Sequence, residues 1–365
     1  MTPVPRPRSL AGRAARLLAA AALLTAVTAV TAGAARADGT QGKIAGASVT
    51  NVGPADATQG GAVGRLRADG INTLALYVWW QTDSPTASAV HPYADTTSDT
   101  DLSAQMAAAR AAGLRVMLVP VFYCSGCQGG SRSMVHPTDV AGFFASYSAF
   151  VEHYASLAES GGATTLFVGS ELSSLEGATN QWRSLITGAR AMFHGQIAYE
   201  ENWDVLGNAR FLAGVDLVGV SAYFPLDGAA SPSLPQLLAD WHSSSMPGWQ
   251  GRDWVAQVSH LAASFHKPIV FGEVGYMSGD HAAARPFLDW YDTPNLTLQA
   301  DLYQALLETF EGYSWWAGVV WWDYQLTPDS VAANGRTFAG KPAEALLQLW
   351  YAGGVRPQNA DSPLV

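Results

Sequence analysis

Arg115-Val116-Met117-Leu118-Val119-Pro120-Val121-Phe122 is the stretch that decides the fold. Its apolar run does not alternate with polar residues, so both faces of the segment must be covered, as in a parallel sheet flanked by helices. Seven further segments read as strands, namely Lys43–Val49, Asn72–Trp79, Thr164–Ser170, Gln196–Glu200, Val215–Ala222, Pro268–Glu273 and Ala317–Trp322. Helical spacing fills the intervals. Phe143, Tyr147, Phe150, Val151, Tyr154 and Leu157 share one helix face, and so do Trp182, Leu185, Ile186, Ala189 and Phe193, then Leu298, Leu302, Ala305, Leu306 and Phe310. Ser98 or Asp99 is placed to cap a helix carrying Leu102 and Met106, and Pro342 opens a last helix reaching Tyr351. Eight strands alternating with helices predict an α/β fold, a single (β/α)8 barrel. An open doubly wound sheet would carry a Gly-rich phosphate turn after the first strand, and Gly46-Ala47-Ser48 followed by Asn51-Val52-Gly53 does not fit that pattern.

The chain ahead of the first strand reads as an export leader. Arg6, Arg8, Arg13 and Arg16 precede an apolar run from Leu17 to Ala32, and Ala35-Arg36-Ala37 fits a small-x-small cleavage site. Residues 1–37 are thus expected to be removed, leaving one barrel domain from Asp38 to Val365, secreted and free of the membrane. The leader holds five arginines and no acid, so its loss moves the formal charge from −10 to about −15. Such a surface repels phosphate backbones and excludes nucleic acid as a partner. Thirteen Trp and thirteen Tyr suit a neutral sugar, whose apolar ring faces pack on flat aromatic rings. The protein is expected to be a monomer.

Cys124 and Cys127, the two cysteines, stand in Cys-Ser-Gly-Cys. In an exported chain this spacing predicts a local disulfide. No cofactor and no metal are expected: His136, His153 and His242 lack metal-ligand spacing, and no Gly-x-Ser-x-Gly elbow of an esterase occurs.

Catalytic groups of such barrels sit at the C-terminal ends of the strands. Strand four ends in Phe167-Val168-Gly169-Ser170-Glu171, and strand seven in Val270-Phe271-Gly272-Glu273. A carboxylate directly after a buried apolar run needs a partner or a task. Strands four and seven face each other across a barrel mouth, and a pair of carboxyls is what glycosidic bond cleavage requires. Glu176, Glu200, Glu201 and Asp204 also lie near strand ends, where they could bind sugar hydroxyls or form salt bridges.

Gly169-Ser170-Glu171-Leu172, Glu273-Val274-Gly275-Tyr276, Ala222-Tyr223-Phe224-Pro225 and Gly340-Lys341-Pro342-Ala343-Glu344 resemble clan A glycoside hydrolases, and family 113, the β-mannanases, in particular. The resemblance extends to Leu74–Gln81, Gly113–Pro120 and the helix Tyr147–Ala158. It implies a retaining double displacement on a neutral β-linked polysaccharide such as β-mannan. In that mechanism Glu171 is the acid/base, with its proton held by burial and by the neighbouring carboxylate, and Glu273 is the nucleophile. Tyr223 would orient Glu273, and Trp322 would floor the sugar site next to the cleavage point. Because neighbours along a strand point to opposite faces, one of Trp321 and Trp322 faces the mouth. Asn202, Trp203, Trp80 and Trp79 are further candidates for contacting sugar. The chain departs from the family pattern at Val119, where a basic residue is usual, and in the Cys124–Arg132 loop, both in the region that encodes sugar specificity. A transglycosylase would use the same residues, and a non-catalytic carbohydrate-binding barrel is the reading from another class.

Overall fold

The computed structural model describes residues 42–49, 61–289, 293–324 and 335–353. The expected leader, residues 1–37, lies outside them, as does Asn51-Val52-Gly53. All elements named below fall within Lys43–Val365.

Eight parallel strands close into a barrel in sequence order: β1 Ile44–Val49, β2 Thr73–Thr82, β3 Arg115–Cys124, β4 Thr165–Ser170, β5 Gln196–Asn202, β6 Leu217–Ser221, β7 Ile269–Val274 and β8 Trp316–Trp321. The seam joins first strand to last, with Ile44 opposite Gly318 and Ala47 opposite Trp321. At that seam Gly318 has φ 130°, and a Cβ there would collide with the Ile44 carbonyl oxygen. Only glycine suits both demands.

Eight α-helices are described: α1 Gly61–Ala68, α2 Asp99–Ala111, α3 Val140–Gly161, α4 Thr179–Met192, α5 Leu234–His242, α6 Trp254–Phe265, α7 Leu296–Phe310 and α8 Pro342–Tyr351. Their ends follow capping chemistry. The Ser98 side chain accepts from the Asp101 N–H to start α2, Asp139 does the same for α3 through Gly142, and α3 stops at Gly162 in the left-handed conformation. The helices are not distributed one per interval. A short 3-10 turn, Arg210–Gly214, is the only helix between β5 and β6, whereas α5 and α6 both lie between β6 and β7. No described helix is long and apolar enough to cross a membrane.

Strand alternation sorts side chains into two cores. Ala75, Tyr77, Met117, Val119, Val121, Phe167, Ala198 and Val270 fill the inside of the barrel. Leu74, Leu76, Val116, Leu118, Phe122, Ile197 and Tyr199 pack outward against the helices. Each such side chain stabilises the fold by about 1.5–3 kcal/mol on burial. Both cores are apolar, which is why β3 reads as an unbroken hydrophobic run. Strands β2 and β3 extend beyond their apolar stretches because Gln81 still pairs with Tyr123 and Thr82 with Cys124. That extension sets the start of the next loop: Cys124 ends β3 and is disulfide-bonded to Cys127.

Candidate active site

The barrel mouth is built around the last residues of β4 and β7. Glu171 follows β4 directly, and its N–H donates to the Glu200 carbonyl of the neighbouring strand at 2.9 Å. Its φ of 53° is left-handed, a conformation that costs a non-glycine residue energy and that clusters at functional sites. Arg132 anchors this turn. The guanidinium donates through Nε to Ser170 O at 2.7 Å and through Nη2 to Ser170 Oγ at 2.9 Å. Nη2 also lies 3.1 Å from Glu171 Oε2. Arg132 arrives from the 3-10 turn Arg132–Met134, just past the disulfide, and is only 9% exposed.

Glu273 sits in β7 opposite Ser221 of β6. Tyr223, two residues on from Ser221, donates its hydroxyl to Glu273 Oε1 at 2.8 Å. Arg336 lies over the Tyr223 ring at 5.3 Å and donates to Gly275 O, Pro286 O and Asp289, tying the loop after β7 to the site. Burial pushes the Glu273 carboxyl up to about 7, and the Glu171 charge pushes the same way; Arg132, the Tyr223 hydroxyl and Arg336 oppose them. The Glu171 charge therefore reaches Glu273 across the barrel mouth.

Aromatic rings line the inner wall. Trp322 packs edge-on against Tyr77 at 4.9 Å and belongs to the inner layer, together with Trp79. Trp321 points outward, stacked on Tyr303 at 4.0 Å and donating to Tyr351 OH. Of the two tryptophans, Trp322 faces the mouth. The strand-two expectation is corrected: Trp80 faces the helical layer, where it packs on Phe150 and donates to Tyr154 OH at 2.9 Å. The inward ring is Trp79, beneath the Arg132 guanidinium at 5.9 Å. Alternation along β2 from the inward Ala75 and Tyr77 puts Trp79 inside and Trp80 outside.

Trp203 is 8% exposed and enclosed by Phe224, Trp249, Trp254 and Phe287. It supports the rim from below, while Phe287, 44% exposed, stacks on it from outside. Asn202 ends β5, with its Oδ1 buried and lacking a hydrogen-bond partner in the described structure. The remaining acids divide by face. Glu201 points outward and accepts from the Gly207 and Ala209 N–H groups, fixing the loop after β5. Glu176 accepts from Tyr199 OH at 3.0 Å and is pushed up to about 8, first by burial and then by Glu201. Both are buried supports. Glu200 points into the barrel.

Sequence reasoning did not find Arg132 or Arg336 as parts of this assembly, and gave Glu200 only as one of several strand-end acids. Arg132 left a trace, being the end of the loop that departs from the family pattern; Arg336 left none, since its partners, the Gly275 and Pro286 carbonyls, Asp289 and the Tyr223 ring, come from distant segments. Among the described residues, no group of three or more His, Cys, Asp or Glu is arranged to hold a metal ion.

The sequence profile described as Glycoside Hydrolase Family 113 matches residues 55–339. The chain belongs to glycoside hydrolase family 113. It is a glycoside hydrolase of clan A, and its substrate is an oligosaccharide or polysaccharide. The family 113 fold also matches solved structures. A family 113 β-1,4-mannanase solved as a complex is 21% identical with TM-score 0.74, over 86% of this chain and 99% of that one. The family 113 β-mannanase of Alicyclobacillus acidocaldarius, bound to ManMIm, is 24% identical with TM-score 0.72, over 87% and 99%. A family 5 enzyme variant from Streptomyces cattleya, bound to Manβ1-4GlcNAc, is 13% identical with TM-score 0.58, over 88% and 83%. At these identities the likeness is one of fold. No curated protein matches the sequence.

Proposed function

We propose that this family 113 enzyme is a secreted retaining β-glycoside hydrolase acting on β-mannan or a related neutral β-linked glycan. The observation that carries the reading is the placement of Glu171 and Glu273 at the ends of β4 and β7, on opposite sides of one closed barrel, where the Glu171 charge helps raise the Glu273 carboxyl. The neighbours named as β-1,4-mannanases support mannan.

In the first step Glu273 attacks the anomeric carbon while Glu171 gives its proton to the glycosidic oxygen, so the C–O bond breaks and a glycosyl ester forms on Glu273. In the second step Glu171, now ionised, takes a proton from water as that water attacks the anomeric carbon, breaking its bond to Glu273 and freeing the carboxylate. The reacting form holds the proton on Glu171 and the charge on Glu273. The Tyr223 hydrogen bond favours that charge, and Arg132 favours the ionised Glu171 of the second step. Trp322 supplies a ring face for the sugar at the cleavage point, and Asn202 and the Trp203-backed rim extend the site. Residues 1–37 direct export and are removed by cleavage after Ala37.

The test is a set of β-mannan, β-glucan and β-xylan oligosaccharides digested by the wild type, Glu171→Gln and Glu273→Gln. A retaining enzyme gives product with the β anomer first by NMR, and a 2-deoxy-2-fluoro glycoside labels the peptide containing Glu273. An α anomer as first product, or a label on another residue, sinks the mechanism. A wild type and mutants that are equally inert yet bind one glycan would make this a binding barrel. A first residue other than Asp38 in secreted material would contradict the cleavage site.

A further inference from the structure

Behind the pair lies a third carboxyl that the mechanism does not use. Glu200 belongs to the inward-facing register of β5 with Ala198 and is 0% exposed. Its Oε2 accepts from Ser170 Oγ at 2.8 Å. Its Oε1 is buried with no hydrogen-bond partner among the described residues. On β7 the space beside Oε1 is kept open by Gly272, where a Cβ would collide with that oxygen. Gly272 directly precedes Glu273, so the Glu200 carboxyl is wedged between the residue before the proposed acid/base and the residue before the proposed nucleophile.

A buried acid with one oxygen unpaired is costly if it is only filling space, because an apolar side chain would pack there at no polar cost. Its connections explain its presence. The Ser170 hydroxyl donates to Glu200, which leaves its lone pairs turned toward the Arg132 Nη2, and that same nitrogen reaches Glu171 Oε2. The chain of contacts Glu200–Ser170–Arg132–Glu171 fixes the guanidinium against the carboxyl that has to give and take the proton.

We propose that Glu200 is a positioning residue for hydrolysis, holding Ser170 and Arg132 so that the Glu171 carboxyl points at the glycosidic oxygen. The proposal rests on the reading of Glu171 as the acid/base. Burial, followed by the charges of Glu273 and Glu171, drives the Glu200 carboxyl well up. That direction disfavours a third charge in the pocket.

The experiment compares kcat/KM on phenyl and 2,4-dinitrophenyl β-mannobioside for the full chain. Phenol is a poor leaving group that needs proton donation, and dinitrophenol a good one that does not, so a misplaced acid hurts the first substrate selectively. Glu200→Ala is expected to lose roughly 10- to 100-fold on the phenyl substrate, the scale of a small misplacement. On the dinitrophenyl substrate the loss should stay under about threefold. Glu200→Gln, which keeps an acceptor for Ser170 and no charge, recovers most of the loss. Equal losses on both substrates mark a merely structural role and overturn the proposal. Glu171→Gln runs beside them. If it lacks leaving-group dependence, the acid/base reading fails and this proposal falls with it. If it shows the dependence and Glu200→Ala does not, the proposal alone fails. Should Glu200→Ala not fold, Ser170→Ala cuts the same link with little change of volume and is read by the same ratio.

Discussion

Tyr223 donates its hydroxyl to Glu273 across the β6–β7 pairing, at 2.8 Å. That bond favours the ionised carboxylate, so removing it must raise the Glu273 pKa. With the carboxyl already pushed up to about 7, kcat/KM should fall as the pH drops below about 7, where the nucleophile takes up a proton. Tyr223→Phe should move this acid limb to higher pH and lower kcat about 10- to 100-fold. An acid limb that stays in place would show that Tyr223 does not bear on Glu273.

Arg132 is paired with Glu171 and also favours charge on Glu273. Arg132→Met keeps the volume and removes the cation. It leaves a largely buried carboxylate without its partner and should cost up to about 3 kcal/mol of stability in denaturant unfolding. The acid limb should again move up, since an opposing positive charge is gone.

The Cys124–Cys127 bond closes a short loop immediately before the Arg132 turn. Restricting so short a loop in the unfolded chain is worth about 2 kcal/mol. Replacing both cysteines by serine should lower the denaturation midpoint accordingly, and kcat should fall as well because the loop delivers Arg132. A stability loss with unchanged kcat would separate the loop from the site.

At the seam, Gly318→Ala demands a Cβ at φ 130° against the Ile44 carbonyl. Strain plus displacement of a strand should cost more than about 3 kcal/mol. Recovery of soluble, folded protein at wild-type stability would contradict the close packing of β1 on β8.

Trp322, directly after β8, is the ring that faces the mouth, against Tyr77. Trp322→Ala should raise KM for oligosaccharides about tenfold, with Trp322→Phe intermediate, because a flat ring face is what the sugar packs on. Isothermal titration of the Glu273→Gln variant with an oligosaccharide checks the binding part alone.

The barrel was legible because its signal is local: each strand is a short apolar run, and apolar faces repeat between them. The two mouth glutamates were legible because strand ends are where a barrel exposes its polar groups. What escaped depends on contacts between distant segments. Trp79 and Trp80 are adjacent in the chain, and the register of β2 in the sheet, with Ala75 and Tyr77 on the inner side, decides which one faces inward. Arg132 and Glu200 meet Ser170 from different strands and loops, a relation that neither spacing nor composition encodes. The single 3-10 turn between β5 and β6 also defied the expectation of regular alternation. There Phe211 stacks on Trp182, Tyr199 meets both rings edge-on, and the three cover the barrel wall.

The pairing of β1 with β8 means that the cylinder is sealed by residues from opposite ends of the polypeptide. Without Trp316–Trp321 the sheet is open along β1 and β7, and unpaired edges are the kind of surface that recruits other strands. Completion of Trp316–Trp321 removes both edges at once. Truncation before that strand should therefore yield aggregate rather than a smaller working enzyme.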